Sequence, residues 1–296
     1  MMPALGTEPL VYREPRMETV AELARVAPDV YLVRHQNHVA LFIVAADAGV
    51  ILVDPIGLLN PRVPALIKAA IGTVTDQPVR YVVYSHSSAD HSSGGAAFAD
   101  TAEFVGHRLT AERMAAANNP TSPPPTLTFD TRHTLDLGGR KLDLYPADLW
   151  QQDDYVIVHD PTARLVMFVD LVQPRNVPFR RLLGHPDRIV ERLGWLAETL
   201  DFDTLVSGHA TPHMTGSKAD VLEAAEYYPD LSHAIDQARA GGLADLSPEM
   251  HRAVRQTLSP RYGGWRRFDE MVDLNIEGML RWRAGEQLGH YLGAPD

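Results

Sequence analysis

Short apolar runs broken by turn residues dominate the first part of the chain. Val30-Tyr31-Leu32-Val33 and Val39-Ala40-Leu41-Phe42-Ile43-Val44 are rich in β-branched and aromatic residues, and Ala48-Gly49 separates them from Gly49-Val50-Ile51-Leu52-Val53-Asp54. Runs this short, bounded by turn formers, predict strands in hairpins. Over 61–71 the period changes, and Val63, Leu66, Ile67 and Ala70 recur on one helical face. A further strand is expected at 79–84, a helix opening at 94–100, a short strand at Phe104-Val105-Gly106 and a helix at 109–117. Residues 118–126, with three successive prolines, read as a stiff connector. Strands follow over 134–146 and 155–170, turning at Gly138-Gly139 and Asp160-Pro161-Thr162. An amphipathic helix at 189–200 and a strand at Thr204-Leu205-Val206 close this part.

Beyond about residue 216 the pattern is helical throughout, at 218–240, 248–258 and 265–283. In the last of these Trp265, Phe268, Val272, Ile276, Met279 and Leu280 form a stripe that must be covered by the main domain or by another subunit. Strand-rich segments followed by helices, twice over, predict an α/β protein: an αββα sandwich of two mixed sheets flanked by helices, with a helical C-terminal extension. The expected domains are 1–215 and 216–296.

Composition narrows the class. The chain has 296 residues, 45% of them hydrophobic, which suffices for a large core, and no 18-residue apolar run that would predict a transmembrane helix. Met1 to Glu8 shows no basic stretch leading into an apolar core, so no secretory signal is read there. Cysteine is absent, which removes disulfides, thiolate nucleophiles and Cys-ligated metal from consideration and fits a cytoplasmic location. A formal charge of −11 disfavours nucleic acid and anionic membrane as partners and leaves a small-molecule substrate as the expectation.

The candidate chemistry sits at the end of the 79–84 strand, in Ser85-His86-Ser87-Ser88-Ala89-Asp90-His91-Ser92-Ser93-Gly94-Gly95. Two imidazoles and a carboxylate within six residues suit a divalent metal. The stretch resembles the His-x-His-x-Asp-His signature of the metallo-β-lactamase superfamily, with Ser88 in place of the second histidine. Four further segments resemble that superfamily in order and spacing. They are Gly49 to Pro55, ending in a structural aspartate, Leu135-Asp136-Leu137-Gly138-Gly139, Phe168-Val169-Asp170 and Ser207-Gly208-His209.

The resemblance implies a second metal site of Asp90, His91 and His209, with Asp170 bridging to a first site that keeps His86. In the third motif Tyr145-Pro146-Ala147-Asp148 places Asp148 where a histidine is usual, so Asp148 is the remaining first-site candidate. Asp54 reads as an acceptor that orients the histidine loop. His35 and His38 fall in a hairpin turn that borders the site in the family, which makes them candidate substrate contacts, and His185 lies in a segment expected at the rim.

One or two divalent ions are implied. Zinc comes first by intrinsic affinity, while carboxylates in place of imidazoles make iron and manganese more competitive. The implied activity is a metal-dependent hydrolase, with a metal-bound hydroxide attacking a small ester, lactone, aryl ether or related substrate. In that scheme Asp90 orients the hydroxide, Asp148 or Asp90 protonates the leaving group, and Ser88 hydrogen-bonds substrate or water. Two other classes stay open: a di-iron or mono-iron oxidoreductase on the same fold, and a degenerate, non-catalytic subunit or binding protein. The helical extension is the expected surface for homo- or hetero-oligomerisation.

Overall fold

The computed structural model describes residues 8–14, 17–58, 60–150, 153–210 and 213–286; the segment read for a signal lies almost wholly outside the described residues. Contacts divide the chain into two units. The first comprises Met1–Ala147, Asp154–Asp170 and Asp201–Thr215, the second Asp148–Asp153, Leu171–Leu200 and Gly216–Asp296.

An eight-stranded sheet runs in sequence order through β1 (Glu8–Glu14), β2 (Met17–Ala27), β3 (Val30–His35), β4 (His38–Val44), β5 (Val50–Val53), β6 (Val79–Val83), β7 (Glu103–His107) and β8 (Leu127–Phe129). It is antiparallel from β1 to β5 and parallel from β5 to β8. Parallel neighbours need crossovers, and α1 (Val63–Val74) and α3 (Arg108–Ala117) supply two of them. A second sheet has the order β14-β13-β12-β11-β10-β9, built from β9 (His133–Leu137), β10 (Arg140–Pro146), β11 (Val156–Asp160), β12 (Leu165–Met167), β13 (Thr204–Val206) and β14 (Thr215–Gly216). Its β12–β13 pair is parallel and its β9–β12 meander antiparallel, so both sheets are mixed, as expected.

The two sheets share one core. Leu32, Leu41, Ile51, Val53 and Val83 of the first interleave with Leu142, Leu144, Val156, Val158 and Met167 of the second. Alternate residues of the first sheet, among them Val33, Phe42, Leu52 and Val82, face outward onto Leu66, Ile67 and Ala70 of α1. That alternation is the period-2 pattern of the sequence acting as a sorting rule.

The second unit is helical: α4 (Pro186–Thr199), α5 (Lys218–Ala240), α6 (Pro248–Tyr262) and α7 (Phe268–Arg283). Besides Gly216–Asp296 it takes in Asp148–Asp153 and Leu171–Leu200, and α4 packs against α5. The helix expected at 94–100 is a single 3₁₀ turn, Gly95–Phe98, entered through Gly94 at φ 94°.

Candidate metal centre

The site lies in the first unit at the ends of four strands. At the exit of β5 the chain turns through Asp54, which has φ 57° and is fully buried. Its carboxylate accepts the Ser85 backbone N–H at 2.8 Å and the Ser85 hydroxyl at 2.6 Å. A hydroxyl has one proton, and here it goes to Asp54. Ser85 Oγ, 2.9 Å from His86 Nδ1, therefore accepts from that ring, which leaves a lone pair on His86 Nε2. Asp54 Oδ2 also lies 3.3 Å from His91 Nδ1, so the same carboxylate sets the ring with Nε2 toward the centre. Asp54 thus does what the sequence assigned to it, orienting both histidines of the loop.

Past His86 the chain forms a single helical turn, α2 (Ala89–Ser92), which carries Asp90 and His91. The Ser88 carbonyl accepts the backbone N–H groups of His91 and Ser92 at 3.1 and 2.9 Å, and its residue caps the turn. Asp170 follows β12 and His209 follows β13. His209 Nε2 lies 2.8 Å from Asp170 Oδ1 and 3.1 Å from His91 Nε2, while His91 Nε2 is 3.5 Å from both Asp90 Oδ2 and Asp170 Oδ1. His86 Nε2 is 3.4 Å from Asp170 Oδ2. His86 and His91 are fully buried, whereas Asp90 keeps 30% of its side chain exposed and forms the solvent side.

Of the six sequence-predicted metal residues the structure brings together five: His86, Asp90, His91, Asp170 and His209. Asp148 is not among them. It belongs to the second unit, where its two-thirds-exposed carboxylate pairs with Arg192 at 2.8 Å, a partner 44 residues away that local spacing does not reveal. Ser88 is half-buried and its backbone, not its hydroxyl, is the group shown in use.

Three residues carry more of the site than the sequence suggested. His38 Nε2 lies 3.4 Å from Asp90 Oδ2 and joins Asp90, His91 and His209 in one group of candidate ligands. Tyr155 donates to Asp170 Oδ2 at 3.0 Å and stacks on His86, rings 4.2 Å apart and 14° from parallel. Asp154 accepts the Ser87 N–H at 2.9 Å and pairs with Arg113 of α3, fastening the histidine loop from behind. Only His38 had a sequence signal, its place in the hairpin turn.

Charge sorts these groups. Burial favours the neutral form throughout, and at His38 and His86 it prevails, lowering both imidazoles from their ordinary value. At His91 burial is outweighed by Asp170 and Asp54, which raise it well above the usual histidine range. Burial would likewise raise Asp90 and Asp170, but His38 and His91 hold the first, and His209 and His91 the second, well below the carboxylate range. The result is two ionised carboxylates ringed by imidazole nitrogens. Donor atoms about 2.1 Å from a shared cation stand roughly 3.0–3.5 Å apart, and the His38–Asp90, His91–Asp90 and His91–His209 separations of 3.4, 3.5 and 3.1 Å match. The donor set therefore fits a divalent ion, with His and Asp oxygen and nitrogen alone.

No family model matches the chain. The 2,4-dinitroanisole O-demethylase subunit alpha of Nocardioides sp. (strain JS1661) is 25% identical over 263 residues, which is 82% of this chain and 74% of that protein. Among solved structures, the stereoselective inverting sec-alkylsulfatase Pisa1 from Pseudomonas sp. aligns with a TM-score of 0.65 at 14% identity, over 93% of this chain and 51% of that one. A metallo-β-lactamase from Pontibacter korlensis aligns at 0.54 and 19% identity, over 74% and 99%. The chain spans about half the length of the alkylsulfatase structures it matches. With two mixed sheets and helices, the chain has the metallo-β-lactamase fold.

Proposed function

We propose that this protein is a metal-dependent hydrolase of small, neutral substrates, with an activated aryl ether as the first candidate and esters or lactones next. The observation that carries the reading is the convergence of His38, Asp90, His91 and His209, one donor atom from each within 4.8 Å of the others, with Asp170 Oδ1 2.8 Å from His209 Nε2. The O-demethylase relative supports the choice of an aryl ether, since it aligns over 82% of this chain. Its designation as one subunit also supports a multi-chain assembly for this protein.

His38, Asp90, His91 and His209 would hold the ion, with Asp170 beside His209, and the ion's contribution would be Lewis acidity toward water and toward the electrophilic atom. The chain's own groups do the rest. Asp90 is the carboxylate that reaches solvent, so it meets the incoming water and orients it by accepting its proton in a hydrogen bond. Asp54 keeps the His91 ring fixed through Nδ1, and Ser85 fixes His86. In an aryl methyl ether the water oxygen bonds to the ring carbon, the bond from that carbon to the methoxy oxygen breaks, and methoxide leaves with one water proton as methanol. The phenol keeps the new oxygen and no electrons are exchanged.

The test is hydrolysis of 2,4-dinitroanisole, a p-nitrophenyl ester and an aromatic lactone by chelator-stripped and zinc-, manganese- or iron-loaded protein. Turnover is expected only with metal, equally under air and argon, with ¹⁸O from water in the phenol. His91→Ala is expected to lose at least about 100-fold in kcat/KM. Oxygen consumption matching turnover would move the reading to the oxidoreductase class. Inert protein under all metals would remove the hydrolase reading.

A further inference from the structure

Resting on that reading, we infer that the chain carries one tight cation site and that His38 is one of its ligands. The two groups of candidate ligands found among the described residues share His91. That ring has Nδ1 against Asp54 and only Nε2 toward the other donors, so it serves a single ion. Without it, the second group retains His86 and Asp170 alone. Ser88 stands at the position of a further imidazole, and Asp148 is in neither group. Two donors fall short of the three or four protein ligands such sites use. Asp170 Oδ2 already accepts the Tyr155 hydroxyl, and the Tyr155 ring lies flat against His86.

The other group is complete. His38, Asp90, His91 and His209 each bring one donor atom within 4.8 Å of the others, and Asp170 Oδ1 lies beside them, 2.8 Å from His209 Nε2. The backbone itself sets His38 in place. Val39 N–H donates to the Gly208 carbonyl at 2.8 Å and Ala210 N–H to the Asn37 carbonyl at 2.7 Å, an antiparallel bridge that puts His38 opposite His209. Their rings meet edge to face, 4.7 Å apart. Gly208 permits this approach: it sits at φ 74°, and a Cβ there would press on Val169 and His91. A strand pairing thus delivers a third imidazole to the pocket, from the opposite side to the His91 loop.

The experiment uses the full chain, stripped by chelator and loaded with Co(II). Elemental analysis after dialysis is expected to give one cobalt per chain, and proton NMR three hyperfine-shifted, exchangeable imidazole N–H resonances, from His38, His91 and His209. His38→Ala is expected to lose one resonance and to weaken cobalt binding by about a hundredfold, beyond the lower end of what supporting residues cost. His86→Ala is expected to keep one cobalt and all three resonances. The resonance count on the unaltered protein decides the matter even where His38→Ala does not fold. Two cobalt ions per chain, only two imidazole resonances, or loss of cobalt from His86→Ala overturns the inference. Failure of the unaltered chain to bind any cobalt overturns the hydrolase reading as well, and so is distinguishable from these.

Discussion

At the scale of single residues, the site is governed by carboxylates that touch no substrate. Asp54 accepts two hydrogen bonds from Ser85 and faces His91 Nδ1 at 3.3 Å, with its carboxylate fully buried. Asp54→Asn keeps the shape but offers one acceptor oxygen in place of two and removes the charge that fixes the His91 tautomer. Metal affinity is expected to fall about 10- to 100-fold, read by competition with a chromophoric chelator, while the far-UV spectrum is unchanged. Asp154 acts by position rather than orientation. Burial would raise its carboxyl, but His86, Arg113 and the Ser87 bonds outweigh this and hold it below its ordinary value. A folded pKa below the unfolded one means stability that is present in full above about pH 4 and is lost as the pH falls through the folded value. Asp154→Asn is therefore expected to cost about 1–3 kcal/mol at neutral pH. The difference should close in urea titrations run below about pH 4, and a gap that stays constant with pH would show that charge is not the cause. Asp54 was legible because it ends an apolar run before a proline. Asp154 and Tyr155 were not, because their partners, Ser87, Arg113 and Asp170, are brought to them only by the pairing of sheets and packing of α3.

Among elements, α7 shows how a helix can be specified by what it must let pass. Gly278 lies where a Cβ would overlap the Arg181 carbonyl, and Asn275, fully buried, donates to the Pro178 and Arg180 carbonyls at 2.9 and 2.5 Å. Tyr227 of α5 completes the set by donating to Asn275 Oδ1 at 2.8 Å. An irregular segment is thereby tied down without strand or helix of its own. Gly278→Ala is expected to destabilise by about 1–3 kcal/mol through overpacking, and Asn275→Ala by a similar or larger amount, since it leaves three polar groups without partners. Guanidinium melts followed by tryptophan emission check both, and wild-type midpoints for the pair would refute this account of the helix. The stripe Phe268, Val272, Ile276, Met279 and Leu280 was readable as a helix face, but the helix begins at Phe268, three residues later than Trp265 suggested. The strands β3 to β6 were readable for the same reason, an apolar run bounded by turns. β1 and β2 carry no such pattern, and β8 is three residues long beside prolines. That α4 lies against α5 was not readable, because amphipathic spacing shows that a face is buried and not against what.

For the molecule as a whole, the candidate metal ligands come from both sheets of the first unit, so a bound ion would fasten the two together. His38 opens β4 and Asp90 and His91 follow β6 in one sheet, whereas Asp170 follows β12 and His209 follows β13 in the other. An ion held by His38, Asp90, His91 and His209 would close a link across the sandwich, and the unfolded chain holds no such arrangement, so binding free energy would become folding free energy. At a free concentration one hundred times the dissociation constant the gain is about 2.7 kcal/mol, which for a chain of this size corresponds to roughly 4 °C in Tm. The gain has a pH sign. Imidazoles must be deprotonated to bind, so protons compete with the ion, and the difference between loaded and stripped protein is expected to shrink as the pH falls through the histidine range. Calorimetric scans of stripped and zinc-loaded chain at pH 7.5 and pH 5 test both parts together. A separation of several degrees at the higher pH that narrows at the lower one is the expected result. Coincident scans at saturating zinc would mean that the five side chains stabilise the sandwich through their own ion pairs, and that the convergence of carboxylate and imidazole is a structural network rather than a seat for a cation.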